Sequence, residues 1–148
     1  MIRAAALCLL LPGIAAAQGV IPDPAPPTPP AVPGLDCIEP SGPDEVLQCA
    51  EVAFADADAE RDLAYRLAIT NARVLDERLS VIDGAPDASA ADALRRSQEA
   101  FLAHREAACA AEALLGVAAG EGELALFDCL TRLTRRRVID LARFGTIE

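Results

Sequence analysis

The stretch Leu94–Cys109, LRRSQEAFLAHREAAC, carries the pattern that decides the fold. Five of its residues recur at steps of three and four, which places them on one face of an α-helix. They are Leu94, Gln98, Phe101, Arg105 and Cys109. An ordinary core stripe would carry only apolar side chains. Because buried amide and guanidinium groups need partners, the stretch predicts a helix at the centre of a satisfied polar network.

The start of the 148-residue chain has the features of a secretory signal peptide. A single basic residue, Arg3, precedes an apolar run from Ala4 to Ala17 that ends in three alanines. Such a run with small residues at its end is typical of a cleaved signal, whereas a membrane anchor needs about 20 apolar residues. We therefore predict a signal peptide at residues 1–17, a periplasmic or secreted protein, and no membrane span after cleavage.

A proline-rich segment follows the predicted signal peptide. Residues 20–34 contain seven prolines, which excludes helix and central strand and favours a solvated, polyproline-like spacer. We assign residues 18–34 to this spacer. The remaining residues, 35–148, have the length of one domain.

Three helices are predicted in this domain, and no strand pattern competes. The first runs from Asp44 to about Ile82, the second from a Ser89–Asp92 capping signature to about Leu115, and the third from near Glu121–Glu123 to about Phe144. Ser41 is the expected cap of the first helix. Glycines between the second and third helices indicate a loose connection. Short connections predict an all-α, up-down-up bundle.

An alanine-rich apolar stripe is expected along the first helix, so that its neighbours can approach closely. Its predicted members are Val46, Cys49, Ala50, Ala53, Ala57, Ala64, Leu67 and Val74.

Four cysteines remain after signal cleavage, and they are expected to form disulfides. They are Cys37, Cys49, Cys109 and Cys129. An even number in a small exported protein favours disulfides, and the absence of a C-x-x-C pair weakens a metal site. The bundle topology brings all four to one end. Three pairings are possible; we favour Cys37–Cys49 with Cys109–Cys129, which close local segments, and the crossed pairings stay open.

Charge is strongly negative and unevenly distributed. The full chain has a formal charge of −10, and loss of Arg3 with the signal leaves −11. This balance argues against nucleic acid and favours cationic partners. Residues 18–60 hold nine acids and no Arg, whereas residues 131–143 hold five Arg and one acid. These runs are either two solvated helix faces or an acidic patch near the disulfide end that meets a basic partner.

The partners of Arg105 can be placed by counting along the helices from the cysteines. At about 1.5 Å per residue, Asp58 and Arg137 fall at one level, which the Arg105 side chain can reach. We therefore predict a buried cluster of these three residues. The remaining donors and acceptors are expected to be satisfied by Gln98, Tyr65 and Thr134.

A combined pattern of cysteines, aromatic residues and polar residues runs through the domain. Its members are Cys37, Cys49-Ala50, Phe54, Ala57-Asp58, Tyr65, Leu94, Gln98, Phe101, Arg105, Cys109, Gly120, Gly122, Cys129, Thr134 and Arg137. With these residues the chain resembles the LprI family, small exported bacterial proteins named after a mycobacterial lysozyme inhibitor. Two departures occur. Arg61-Asp62 stands where the family pattern has Leu-Asn, and Phe101 stands where Trp is usual.

The resemblance implies lysozyme inhibition by protein–protein contact. An acidic domain would be steered toward lysozymes, which are commonly cationic. An inhibitor has to block a cleft with two catalytic carboxylates, and either exposed loop, Leu35–Pro43 or Leu115–Glu123, is a candidate blocker. The alternative is a structural or adaptor module of the cell envelope that binds an unidentified protein or wall component, which the spacer fits equally well.

No residue pattern predicts catalysis. His104 is the only histidine, and no Ser-His-acid set, phosphate loop or HExxH motif is present. The four cysteines are expected to be committed to disulfides, which leaves no evident nucleophile. We therefore expect a protein without catalytic residues, metal or cofactor.

Overall fold

A computed structural model describes residues 34–145, which form three α-helices. Helix α1 spans Pro43–Leu79, α2 spans Ala90–Gly116 and α3 spans Gly122–Ala142, with a single 3-10 turn at Val117–Ala119. Helix α3 packs chiefly against α1 and also against α2. The predicted all-α, up-down-up bundle is confirmed. The predicted signal peptide (1–17), the spacer apart from Gly34, and the last three residues lie outside the described range.

The start of α1 differs from the predicted cap. Gly42 occupies the N-cap position, and no side chain caps the helix there. Ser41 instead donates its hydroxyl and its backbone N–H to the Glu45 carboxylate. Pro43 begins the helix and has no N–H to offer, which removes one of the groups that a cap at Ser41 would satisfy.

The start of α2 is held from two sides. Ser89 is the N-cap and accepts a 3.0 Å hydrogen bond from the Asp92 N–H, as predicted. Asp76, near the end of α1, accepts from the Ser89 hydroxyl at 2.8 Å and from the N–H groups of Ala90 and Ala91 at 2.6 and 3.1 Å. A carboxylate is stabilised at a helix N-terminus. These bonds, that of the Ser89 hydroxyl first, lower the pKa of Asp76.

The apolar core lies at the end of the bundle where α1 passes into α2. Its buried members are Ala68, Ala72, Ala91, Leu94 and Leu141. The predicted stripe on α1 was wrong at Leu67 and Val74, which are 57% and 39% exposed. The buried face instead follows Ala57, Arg61, Ala68 and Ala72. Because Arg61 is part of the buried face, a stripe traced through apolar residues alone departs from that face in the middle of α1.

The opposite end of the bundle is closed by two disulfides. Cys37 pairs with Cys49, and Cys109 pairs with Cys129, as favoured from the sequence. Cys109 and Cys129 are fully buried between α2 and α3, whereas Cys37 is exposed in the segment before α1. Covalent bonds therefore hold the end that the apolar core does not reach.

The connection between α2 and α3 is a tight turn, and the prediction of a loose one was wrong. The Glu121 N–H donates to the Gly116 carbonyl at 3.0 Å, and Gly120 adopts a left-handed φ of 76°. A Cβ added at Gly122 would lie 3.1 Å from the Ala113 carbonyl oxygen. The glycines therefore serve close backbone approach rather than looseness.

None of the helices in the described range is both long enough and apolar enough to cross a membrane.

Candidate functional site

Arg105 on α2 links all three helices near the middle of the bundle. Its Nη1 atom donates to Asp58 Oδ1 on α1 at 2.6 Å and to Thr134 Oγ1 on α3 at 2.9 Å. Arg105 is 7% exposed and Thr134 is fully buried, whereas the Asp58 side chain is 32% exposed. Hydrogen bonds with a charged partner are about twice as strong as neutral ones. One guanidinium therefore fixes the mutual positions of three helices.

Arg61 belongs to the same network, although the sequence reasoning did not predict it. Its Nη2 atom lies 2.8 Å from Asp58 Oδ2 and 3.0 Å from Asp62 Oδ1, and the residue is 7% exposed. Arg61-Asp62 is one of the two departures from the family pattern. The available signal was the three-residue spacing from Asp58, which puts opposite charges on one helix face.

Arg137 forms a second group of contacts beside the first. Its Nε donates to Gln98 Oε1 and its Nη2 to Ser97 Oγ, both at 3.0 Å. Among the ion pairs of residues 34–145 there is none between Arg137 and Asp58, so the single cluster predicted from sequence is two groups. Helical rise fixes the height of a residue but not its direction around the axis, and Arg137 points to α2 rather than α1.

The ring of Phe101 stands between the two groups. Its centroid lies 5.7 Å from Arg105 Cζ and 5.4 Å from Arg137 Cζ, and the centroid of the Phe54 ring lies 5.3 Å from Arg105 Cζ. Each contact is within the range of a cation–π interaction. Phe54 and Phe101, the aromatic residues of the sequence pattern, therefore pack against its arginines.

Tyr65 takes part less directly than predicted. It packs against the apolar core, with no hydrogen bond to the network among those of the described residues. Tyr65 is nevertheless close enough to Arg137 to influence the pKa of its guanidinium group. Partial burial lowers the pKa of Arg137, and the negative charges available at Asp140 and Tyr65 oppose that shift.

The chemistry of this network is that of a scaffold. His104, next to Arg105, is exposed. Residues 34–145 contain no group of three or more His, Cys, Asp and Glu side chains that could hold a metal ion. The charged groups pair mainly with one another and hold the helices in register. The predicted full satisfaction is not reached, because Arg61 Nε, Gln98 Nε2 and Arg105 Nε are buried without a hydrogen-bond partner among the described residues. A surface for partners has to be sought elsewhere on the bundle.

A groove opens at the disulfide end between the two loops that the sequence proposed as alternative blockers. Residues between 40 and 47 form one wall, and residues between 113 and 126 form the other. Its volume is about 940 Å³. The segments Leu35–Pro43 and Leu115–Glu123 therefore contribute to one surface. The sequence could not select between them because their adjacency is a property of the folded bundle.

Charge divides sharply along the bundle. We define the disulfide pole as residues 34–60 and 106–131, the half of each helix nearest the disulfides. The disulfide pole carries thirteen Asp and Glu residues and no Arg, Lys or His. The other half, residues 61–105 and 132–145, carries twelve Arg against eight acids. The molecule is therefore an electric dipole with its negative end at the groove.

Glu45 fixes the segment before α1 against the helix. Its carboxylate accepts from the Ser41 hydroxyl and N–H and from the Asp36 N–H, the last at 3.0 Å. These bonds, led by that of the Ser41 hydroxyl, lower the pKa of Glu45 to about 2. A depressed carboxyl pKa means that the anchoring is complete above the ordinary value of 4.5 and is lost as the pH falls toward 2.

A comparison with known protein families agrees with the pattern of cysteine, aromatic and polar residues in this domain. The family model described as "Lysozyme inhibitor LprI" matches residues 37–141. The chain belongs to the LprI family. The matched range contains both disulfides and every residue of the polar network, so the geometry described above is that of an LprI-family domain.

A relative from Rhizobium meliloti (strain 1021) matches this chain across nearly its whole length. It is 32% identical over 141 residues, which cover 93% of this chain and 91% of the relative, and it is described as an uncharacterized protein. No solved structure matches the chain. The two disulfides of this LprI-family domain agree with an oxidising, extracytoplasmic compartment.

Proposed function

We propose that this protein is an exported, non-enzymatic inhibitor of lysozyme that acts by protein–protein contact. The supporting observation is membership of a family described by lysozyme inhibition, in a chain whose disulfide pole carries thirteen acids and no basic residue. Opposite charge steers partners together and raises the rate of association. The proposal includes delivery by a signal peptide at residues 1–17 that is removed from the mature protein.

The polar network supports this function indirectly. Inhibitors that keep their shape lose little conformational entropy on binding, and a rigid surface therefore binds more tightly than a mobile one. Arg105 and its partners hold the three helices in register, and the disulfides hold the loops at the pole. The mature domain is thus a rigid carrier for an acidic surface.

Lysozyme activity measured with and without the mature protein tests the proposal. A cationic animal lysozyme should lose activity as the protein is added, and the loss should weaken with salt because screening shortens the reach of surface charges. A small soluble oligosaccharide substrate should be used beside a cell-wall suspension. Loss of activity on the soluble substrate shows that the protein acts on the enzyme, whereas loss on the cell-wall suspension alone shows that it acts on the wall. Full activity on both substrates at excess protein and low salt would refute inhibition of that lysozyme.

The alternative, an adaptor module of the cell envelope, predicts a different result. The protein would leave both reactions unchanged and would be retained by an envelope component other than a muramidase. Affinity capture from envelope extracts, with the partner identified by mass spectrometry, separates the two functions.

A further inference from the structure

We infer that the groove at the disulfide pole is the docking surface of this protein, and that its occupant is a protruding basic segment of a partner protein that inserts an apolar side chain between cationic ones. The inference rests on the proposed function, for which a lysozyme is the partner. It goes further by committing to one surface and to the chemistry of what the surface receives.

Exposed apolar side chains lie along the wall of the groove that the end of α2 forms; we call them the apolar ledge. Leu114 and Val117 line the groove and are 74% and 62% exposed, and the adjacent Leu115 is 83% exposed. Across the groove, Val46 and Leu47 are half-buried. Large apolar side chains gathered at one place on a surface mark a site of association. An apolar side chain of a partner would bury them.

Three carboxylates form the charged rim of the groove. Asp44 on one wall and Glu121 and Glu123 on the other line the groove, and no basic residue of the described range lines it. Uncompensated carboxylates around an apolar floor favour a segment that carries Lys or Arg on both sides of an apolar residue. The charge of the whole disulfide pole extends that preference beyond the rim.

The same charge argues against two other occupants. A second copy related by a two-fold axis would bring one strongly acidic pole against another, which like charges disfavour. The chain's own residues 18–33 carry a single charged side chain, Asp23, and it is acidic. Neither the acidic pole of a symmetric copy nor the side chains of residues 18–33 supply the cations that the rim lacks.

Both walls of the groove are held in place. The segment before α1 is tied to the helix by Cys37–Cys49 and by the bonds to Glu45, and the opposite wall ends in the tight glycine turn after α2. Cys109–Cys129 joins the helices beneath that turn. Rigid walls reduce the ordering cost of binding.

The size of the groove limits what enters it. A volume of about 940 Å³ is at the upper end of the range of cavities that hold drug-sized ligands. It has room for a few side chains and none for a folded domain. A protruding loop is therefore the part of the partner that docks.

The test compares groove variants with matched variants at the other end of the bundle. Leu114→Ser removes the apolar ledge, and Glu121→Gln with Glu123→Gln neutralises the rim. The controls are Val81→Ser, which alters an 83% exposed apolar residue, and Glu77→Gln with Asp83→Asn. Far-UV circular dichroism and thermal melting verify that each variant folds. Binding to a cationic animal lysozyme is measured by calorimetry at low and high salt, and inhibition is measured in parallel.

The expected result is selective loss of affinity in the groove variants. Leu114→Ser should weaken binding by about thirtyfold at any salt concentration, the size of a small interface hot spot. The rim pair should weaken it by about fivefold at low salt and less at high salt. The controls should stay within about twofold, as expected for surface changes outside an interface.

The outcomes separate the two proposals. If the groove variants bind and inhibit as the wild type does, the groove assignment is wrong while inhibition stands. If the wild type binds through the groove but leaves the reaction undiminished, the groove assignment stands and the inhibitor proposal fails. If the wild type binds no lysozyme and inhibits none, both are overturned.

Two further measurements address the other occupants. Sedimentation that shows a dimer abolished by Leu114→Ser, with lysozyme binding intact, would assign the groove to a second copy and overturn the inference. A chain that begins at Gly34 and binds lysozyme much more tightly than the mature chain would show that the protein's own N-terminal segment covers the groove, with the same consequence.

Discussion

Replacement of Arg105 by Ala tests the central architectural claim, that a buried guanidinium holds the three helices together. The substitution leaves the buried Thr134 hydroxyl without its partner, which costs about 1–3 kcal/mol. It also removes a charged bond to Asp58, worth about 1.5–3 kcal/mol, and two cation–π contacts of about 0.5–1 kcal/mol each.

The net effect is smaller than the sum of these contributions because Asp58 keeps Arg61 as a partner. We expect the free energy of unfolding to fall by about 3–5 kcal/mol, the usual cost of breaking a buried pair. With a urea slope of about 1–3 kcal/mol per molar, the unfolding midpoint should fall by about 2 M. Far-UV circular dichroism of the disulfide-intact protein in urea at neutral pH measures it.

Arg132→Ala is the matched control for this experiment. It removes the ion pair between Arg132 on α3 and Glu112 on α2. The Arg132 side chain is 59% exposed and the Glu112 side chain is 47% exposed. An exposed pair contributes at most about 1 kcal/mol, so the control should unfold near the wild-type midpoint. If Arg105→Ala lost less than about 1 kcal/mol, or no more than the control, the network would not be the element that holds the helices together.

Three other perturbations have defined outcomes. Asp76→Ala should lower the melting temperature at pH 7 relative to Asp87→Ala, and the difference should shrink as the pH falls below 3.8 and vanish once Asp76 is protonated in the folded protein, because a lowered carboxyl pKa stabilises fully above the value of the unfolded chain and loses that effect as the pH passes the value of the folded one. Mild reductant should open the exposed Cys37–Cys49 bridge before the buried Cys109–Cys129 bridge, as thiol mapping by mass spectrometry would show. Gly122→Ala should lower the urea midpoint through a loss of about 1–3 kcal/mol, since its new Cβ crowds the Ala113 carbonyl.

Local patterns of the sequence were sufficient for the helices and the disulfides. Apolar spacing, the Ser89–Asp92 signature and proline and glycine stops located three helices to within a few residues. Cysteine spacing then favoured the pairing that the structure contains. Each of these features depends on residues close in the chain, which is why the sequence alone could express them.

Features that depend on direction around a helix were harder to predict. Arg61 was noted only as a departure from the family pattern, yet it is buried because Asp58 offers it a carboxylate about one turn away. Leu67 was assigned to the core and lies largely in water. For Arg61, the buried ion pair reverses the usual relation between polarity and burial. For Leu67, an apolar residue type suggested the wrong face of the helix.

The groove could not be predicted because its two walls are far apart in the chain. The sequence identified both loops and the acidic run, but not that the loops face each other. Their adjacency follows from the mutual packing of the three helices, which brings the start of α1 beside the connection between α2 and α3.

The distribution of stabilising interactions explains why the acidic charge can be gathered at one end. Thirteen carboxylates in half a small bundle repel one another and oppose the compact state. The apolar core lies at the other end and cannot offset this repulsion locally. The disulfides lie at the acidic end, where they restrict the unfolded chain by an amount that does not depend on local charge. Reduction of both bridges should nevertheless make stability rise with salt more steeply than in the oxidised protein, because the reduced unfolded chain expands further and loses more of the repulsion, which screening then offsets in favour of the folded state.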